Sequence, residues 1–580
     1  MTGGRQSDFA LTKRGDGDLK LIRESNSFGP PAVDFRFDGG TTVEGGYLMV
    51  ESSATLHSNV VVQAIGTLFL YGTMTGSLEN HGRTILWDKV IGDVTNDAVL
   101  APGSSIYGDV VPAHIEGNFS QTSNGTLLAV IGATTGGFLS VTGRAELDGT
   151  LYLTQYQDEW GSYPLPHAPV SLQILHADGG VFGQFATWTS PGLFITGVPR
   201  YETHDVFFDA TAISAASVMG AVTAQSVTLR SAGHFDAAIA NAGTWANTPN
   251  APLTATQRQF LSSAGKIQRL QDYAQATRTF DSLSGHGYTD AADALLQQAA
   301  LPAPELMARV GNLHAGSKSG SWSAPTSMLA SGTSAFSGER AGFDQWLGER
   351  TLVGTSFSLS DGRLRFDRSG GSARDQSPQW DVYLRHNVGE NSYVFGDIGY
   401  SRHQLEFNRQ IDLGSVRQAA GAQNSFGLTH AYLETGRDFR IGAAQLTPFG
   451  AVSYAMLQGA GFAEQGNTGF ELLAQPATYQ RVNALAGVRL GTDWRSRSGR
   501  WTSFNLTAGY RQLLNANDDA RAAFTGAPDV SFALAGMPRQ RNAGWLQMNL
   551  ATGSGDWAWR LSYDRQGHAE AASVGMQFRF

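Results

Sequence analysis

The chain has 580 residues, 70 of them glycine and none cysteine, and only 16% are charged, against roughly 25% in an ordinary soluble domain. The lack of cysteine excludes a disulfide framework, a thiolate metal site and a cysteine nucleophile, and suits a chain that crosses an oxidising compartment. A net charge of −9, from 41 Lys+Arg against 50 Asp+Glu, speaks against nucleic acid as a partner. No apolar run approaches the roughly 20 residues of a membrane helix, which leaves a membrane β-barrel open. At the N-terminus Arg5, Asp8, Lys13, Arg14 and Asp16 interrupt any apolar core, so no signal peptide is expected within this chain.

Residues 1–215 are rich in Gly, Thr, Val, Leu and Asn, with short two-residue alternations such as Tyr47-Leu48-Met49-Val50 and Thr67-Leu68-Phe69-Leu70. The pieces Gly76-Ser77-Leu78 with Asn80, Gly92-Asp93-Val94 with Asn96, and Gly108-Asp109-Val110 return after 16 residues. Stacked rungs explain both features: inward Val and Leu form one long core, and Gly and Asn serve the corners. A β-sandwich with irregular hairpins is the alternative. From Ala212 to Ala315 the pattern turns helical, with Thr254 as cap for a helix carrying Phe260, Leu261, Ile267, Leu270 and Tyr273. Thr289 is the expected cap of a second helix with Ala292, Leu295 and Leu296, and Pro304 starts a continuation through Leu306, Met307 and Val310.

After Ser331 the chain becomes a series of about twelve alternating strands. Phe504, Leu506, Ala508 and Tyr510 oppose Asn505, Thr507, Gly509 and Arg511; Trp557, Trp559, Leu561 and Tyr563 oppose Ala558, Arg560, Ser562 and Asp564. A greasy face with aromatic ends and a polar face carrying Asp397, Arg489, Arg511, Arg560 and Asp564 is what a closed barrel in lipid requires, with those five facing the pore. In the last strand Val574, Met576, Phe578 and Phe580 alternate with Gly575, Gln577 and Arg579. That ending resembles the C-terminal signature by which outer-membrane barrels are recognised for assembly.

In order along the chain, GTLFLYGTMTGSLENHGRTI, LAPGSSIYGDVVPAHIEGNFSQTSNGTLLAVI and LSVTGRAELDGTLYLT resemble the last coils of a passenger of monomeric autotransporters, the type V secretion proteins of Gram-negative bacteria. VSLQILHADGGVFGQFATW and PGLFITGVPRYETHDVFFDAT resemble the capping, autochaperone-like region; FDSLSGHGYTDAADALLQQA is similar to the segment before the barrel. AGFDQWLGERTLVGTSFSLSDGRLRF, LTPFGAVSYAMLQGAGFAEQG, FNLTAGYRQLL and the terminal GMQFRF resemble the translocator. The resemblance implies a right-handed parallel β-helix stem (1–160), a cap (161–215), a helical linker and pore helix (216–330) and a 12-stranded antiparallel transmembrane barrel (331–580). It also implies outer-membrane lipid, the barrel-assembly machinery, periplasmic chaperones, the chain's own passenger segment and host surface ligands as partners. The location implied is the bacterial outer membrane, with the passenger on the surface or secreted.

Catalytic chemistry finds little support, and no cofactor is expected. FTGAPDVSFALAGMPRQRN is similar to barrels of subtilisin-like autotransporter proteases, whose catalytic domain would lie ahead of residue 1; a surface adhesin is the other alternative. Gly332-Thr333-Ser334-Ala335 resembles a subtilase nucleophile motif but is followed by Phe336 and Ser337 where Ala and Pro are required. Asp281-Ser282-Leu283 follows Phe280 rather than Gly, so the GDSL esterase motif is incomplete. His57, His81, His114, His167 and His176 lack metal-ligand spacing. Asp397, Glu434 and Asp564 are read as a solvated pore lining rather than catalytic carboxylates, and Gly461 in GAGFAEQG as a hairpin turn.

Overall fold

The computed structural model describes the chain except residues 1–8, 23–32, 107–108, 132–137, 156–169, 247–251, 300–301, 311–319, 332–333, 367–370, 415, 498–499, 535–540, 555–556, 567–568 and 579–580. Two compact units are present: Met1–Ala224 with Phe235–Thr277, and Gln225–His234 with Arg278–Phe580. Among the described residues no helix is long and apolar enough to cross a membrane.

The first unit is a parallel β-helix. Strand Leu78–Asn80 lies on Val94–Asn96, with Leu78 opposite Val94 and Asn80 opposite Asn96, and Arg83–Leu86 lies on Val99–Pro102. Three sheets of eight, eight and nine strands run along the unit. The alternating residues Leu48, Leu56, Leu68, Met74, Leu86, Val90 and Leu100 are fully buried between them. Each added coil removes apolar surface from water at roughly 25 cal/mol per Å².

Two devices, one polar and one steric, fix the register. Asn80 Nδ2 donates to Asn96 Oδ1 at 2.8 Å, and Asn96 Nδ2 donates to Gln121 Oε1 at 3.0 Å, so one buried amide stacks on the next. At another corner the backbones of Gly76, Gly92 and Gly117 approach so closely that a Cβ on Gly92, whose φ is +148°, would stand 2.3 Å from the Gly76 carbonyl oxygen. Gly92→Ala is expected to destabilise the stem by about 1–3 kcal/mol, read as a lower urea midpoint for the stem transition of the full chain.

The third copy of the 16-residue repeat does not form a rung. Asp109–Val111 instead pairs antiparallel with Ser104–Ile106, outside the stack, and Gly108 lies outside the described residues. The coil resumes at Ala113–Glu116, whose Ile115 lies opposite Val90, and goes on to Phe119–Gln121, whose Phe119 lies opposite Val94. The third motif thus forms an excursion hairpin, and stacking continues from Ala113.

Beyond the last coil the third sheet changes direction. Val170–Ala177 pairs antiparallel with Asp205–Ala212, which pairs antiparallel with Ile195–Tyr201. His176 bridges this hairpin, its Nδ1 2.7 Å from Asp205 and its Nε2 3.2 Å from Asp178. The hydrogen bond to Asp205 raises the imidazole pKa above its ordinary value of 6.5. A raised folded-state pKa gives stability that is full below the unfolded value and fades as pH rises through the folded one. The pair is partly exposed, so the effect is under about 1 kcal/mol. The urea midpoint of this unit is expected to fall as pH rises above about 6.5, and His176→Gln should flatten that slope.

Helices follow. Ser214 caps Ala215–Gly220, and Asp236 accepts from Ser214 Oγ, the Ala215 amide and the Ala216 amide at that N-terminus. Thr254 caps Ala255–Gln268 in a reciprocal capping box with Gln257. Thr289 is not a cap: helix His286–Gln298 starts after Gly285, in the left-handed region at φ +66°, and the Thr289 hydroxyl donates to the His286 carbonyl at 2.8 Å.

In the second unit twelve long antiparallel strands, from Gly320–Ser331 to Ala569–Phe578, form one sheet with the short Phe439–Ile441. The sheet closes where Ala330 meets Glu570 and where Arg417–Arg437 pairs with Ala444–Gly459. All but the last residue of the strand Gly320–Ser331 falls in the stretch 216–330 that the sequence assigns to linker and pore helix.

Candidate functional site

The barrel is inverted relative to a soluble protein. Leu359, Trp380, Val382, Ile398, Tyr400, Leu433, Tyr510, Trp559 and Leu561 are exposed on its outside. The residues alternating with them in the same strands are polar and buried: Asp381, Asp397, Ser401, His403, His430 and Glu434. Charges deep inside and rings outside minimise free energy only where the surroundings are apolar and the interior is wet or paired.

Two helices, His286–Gln298 and Pro302–Val310, fill that interior. At one end Arg409 donates to Glu464 (Nε, 2.8 Å), to the Phe470 carbonyl (3.1 Å) and to the carbonyl of Ser282. Glu464 also accepts from Tyr288 Oη and the Leu472 amide, each at 2.7 Å. Tyr288 stacks between Phe407 and Phe462, at 4.2 and 4.1 Å, and Asp293 pairs with Arg481. Connections between strands add a small sheet over this end, Phe462–Ala463, Leu472–Ala474, Arg521–Phe524 and Ala527–Ala533.

Toward the other end Arg309 meets Asp344 in a fork of 2.7 and 3.1 Å, and Arg385 donates to the Val310 carbonyl at 2.9 Å. Beside them Glu434 accepts two bonds of 2.6 Å from Arg489 and one of 2.6 Å from each of Tyr393 and Tyr432. A cavity of about 310 Å³ opens here, lined by Met307, Arg385, Tyr393, Asp438, Arg489 and Asn505. The helical segment is therefore held at both ends by charge-assisted bonds, the strongest polar contacts available.

The sequence-derived residues fall out as follows. Asp397 is buried and accepts from His430 at 3.1 Å. Arg489 is spent on Glu434. Asp564 is buried, 3.5 Å from the Trp545 indole nitrogen. Arg511 is half-buried, and Arg560 alternates with the exposed Trp559 and Leu561. Val574 is exposed in the last strand, which Met576 and Phe578 share; Phe580 lies outside the described residues. The ion pairs to the helical segment run to Asp344, Arg340 and Arg481. The sequence reading singled out none of these three, although each stands on an alternating barrel strand, and their partners on the helices carried no signal of their own.

Three catalytic motifs considered from sequence gain nothing. Ser334 begins a barrel strand opposite Leu364, while Gly332 and Thr333 lie outside the described residues. Ser282 is buried in a helix and donates to the Thr279 carbonyl at 2.7 Å. His57 and His81 lie 3.4 and 3.3 Å from single aspartates, and His167 is outside the described residues.

One constellation escaped the sequence reading. Ser401 Oγ lies 2.8 Å from His403 Nε2, and His403 Nδ1 lies 2.8 Å from Asp375. Nucleophile, base and orienting carboxylate are in hydrogen-bond order. Ser401, however, sits in mid-strand opposite Leu428 and Gln379, where backbone amides serve the ladder and are not free to form an oxyanion hole. The arrangement is a polar filling of the pore.

Residues 319–564 match the family model described as the autotransporter beta-domain. Among solved structures the chain is similar to the translocator domain of autotransporter NalP from Neisseria meningitidis, at 20% identity and a TM-score of 0.40 over 51% of this chain and 99% of that one. It is also similar to the beta domain of the Bordetella autotransporter BrkA, at 15% identity and a TM-score of 0.34 over 46% and 100%. No curated protein sequence matches the chain.

Proposed function

With residues 319–564 an autotransporter beta-domain, an outer-membrane translocator of type V secretion that anchors a passenger and is not itself catalytic, we propose that residues 1–160 are the passenger stem and 161–215 its cap. In the same reading 216–330 carries the linker and the pore helices, and Asp397, Arg489, Arg511, Arg560 and Asp564 line the pore. The single observation that supports this most is the inverted barrel with two helices plugging it by ion pairs. Such a pore gives a chain a hydrated route through lipid, and coils that stack outside bury apolar surface and so oppose its return. Val574, Met576, Phe578 and Phe580 would present the strand read by the assembly machinery, with periplasmic chaperones guarding the unfolded chain. A surface adhesin and the tail of a subtilisin-like autotransporter protease are the alternative readings of the passenger.

The experiment fuses a foreign domain ahead of the full chain behind a signal peptide. The domain should become sensitive to external protease in intact cells, in which the barrel migrates faster in unheated SDS gels than after boiling. A shielded domain on a correctly assembled barrel would overturn the assignment. Arg560→Glu is expected to raise single-channel conductance in planar bilayers; unchanged conductance would remove Arg560 from the pore wall.

A further inference from the structure

Asp381, Asp397 and His430 stand on three neighbouring barrel strands, Gly371–Val388, Ser392–Asp412 and Arg417–Arg437. Each offers a ligand atom within 4.8 Å of the others. His430 Nε2 lies 3.1 Å from Asp397 Oδ2 and 3.4 Å from Asp381 Oδ1. A divalent ion bound by imidazole and carboxylate at roughly 2.0–2.1 Å spaces tetrahedral ligands about 3.4 Å apart and octahedral ones about 3.0 Å apart. The two separations from His430 fall between these values and the two carboxylate oxygens lie within 4.8 Å of each other, so an ion enters with modest side-chain shifts.

Three further facts point to a ligand. Asp397 is 4% exposed, yet its Oδ1 has no hydrogen-bond partner. His430 Nδ1 also lacks one, while Nε2, facing both carboxylates, carries the proton that a bound ion would displace. The strand passes beneath the cluster at Gly399, where a Cβ would lie 2.5 Å from Asp381 Oδ1 and 2.4 Å from His430 Cε1; only glycine leaves this space. Asp381 accepts from Gln379 Nε2 (2.7 Å) and Ser356 Oγ (3.1 Å) and has Arg340 at 3.8 Å, but Arg340 is shared with Glu305 of the pore helix at 3.4 Å. Two buried carboxylates thus face the His430 imidazole and one divided guanidinium.

We propose that Asp381, Asp397 and His430 form a site for one divalent transition-metal ion of the zinc class in the barrel wall. The ion ties three strands together at the pore surface. It also competes with Arg340 for Asp381, which leaves Arg340 to Glu305 and tightens the wall's hold on the pore helix.

The test uses the full chain in detergent, stripped with chelator and equilibrated with buffered Co²⁺ or Zn²⁺. Wild type should retain one ion more per chain than His430→Gln or Asp397→Asn, whose affinity falls at least about 100-fold. Bound Co²⁺ should show visible bands of a low-coordinate site, and X-ray absorption should report one imidazole with oxygen ligands. His176→Gln should retain the ion, since its two aspartates sit on opposite ring nitrogens. The gel-mobility shift of unheated samples shows that the variants fold; if they do not, the wild-type spectra decide alone. Equal retention by folded wild type and variants, or a hexaaqua Co²⁺ spectrum in wild type, overturns the proposal.

Discussion

Glu434→Ala is expected to lower the stability of the folded barrel by about 3–5 kcal/mol, the usual consequence of stranding a buried charge. Glu434 is 1% exposed and takes both ends of the Arg489 guanidinium. It is also the acceptor for the Tyr393 and Tyr432 hydroxyls. Removal leaves a cation and two phenols in a closed interior, beside Arg385, whose guanidinium lies 4.7 Å from the Tyr393 ring. The temperature at which the compact form unfolds in SDS should drop by many degrees. Joint replacement by Glu434→Leu and Arg489→Met should recover part of the loss, because no unpaired charge remains. A double variant as unstable as Glu434→Ala would show that the phenols, not the ion pair, set the cost.

Asn96→Leu is expected to be the most damaging single change in the stem. Asn96 accepts from Asn80 and donates to Gln121 and, at 3.2 Å, to the Thr126 carbonyl. Leucine has the same branching but is bulkier and answers none of these groups, and each buried polar group left unpaired costs about 1–3 kcal/mol. Several are lost together, so the stem of the full chain should become sensitive to protease at native temperature while the barrel keeps its gel mobility. If surface exposure is driven by folding outside, export of the stem should slow in the same variant. A stem as resistant as wild type would mean that apolar stacking alone fixes the register.

The fold was legible where period and environment agree. Leu48, Leu68 and Leu70 alternate inward in the stem, and Trp557, Trp559 and Leu561 alternate outward in the barrel. A two-residue period reports that a face is apolar, and the aromatic ends with a polar opposite face tell lipid from core. The excursion at Asp109–Val111 was illegible, because Gly-Asp-Val suits a hairpin as well as a coil corner. The helix start at Gly285 was hidden for a related reason: Thr289 looks like a cap locally, while burial of His286, Gly287 and Tyr288 against the barrel extends the helix backward. Pore chemistry was half visible. Asp397 and Arg489 could be placed on the inner face, but His430 and Asp381 meet only through strand register, a long-range property that one strand's sequence does not encode.

The β-helix ends on a different structure from the one it repeats. Its last coil is finished by the antiparallel strands Val170–Ala177, Asp205–Ala212 and Ile195–Tyr201, whereas the coils before it lie parallel, rung on rung. Order can therefore grow as a crystal grows from a seed, with the hairpin as the seed and every new coil meeting the same ledge of amides and leucines. Such growth sets no natural length. Coils can be gained or lost within the stack without redesigning the seed, so the length of this unit can change by whole rungs.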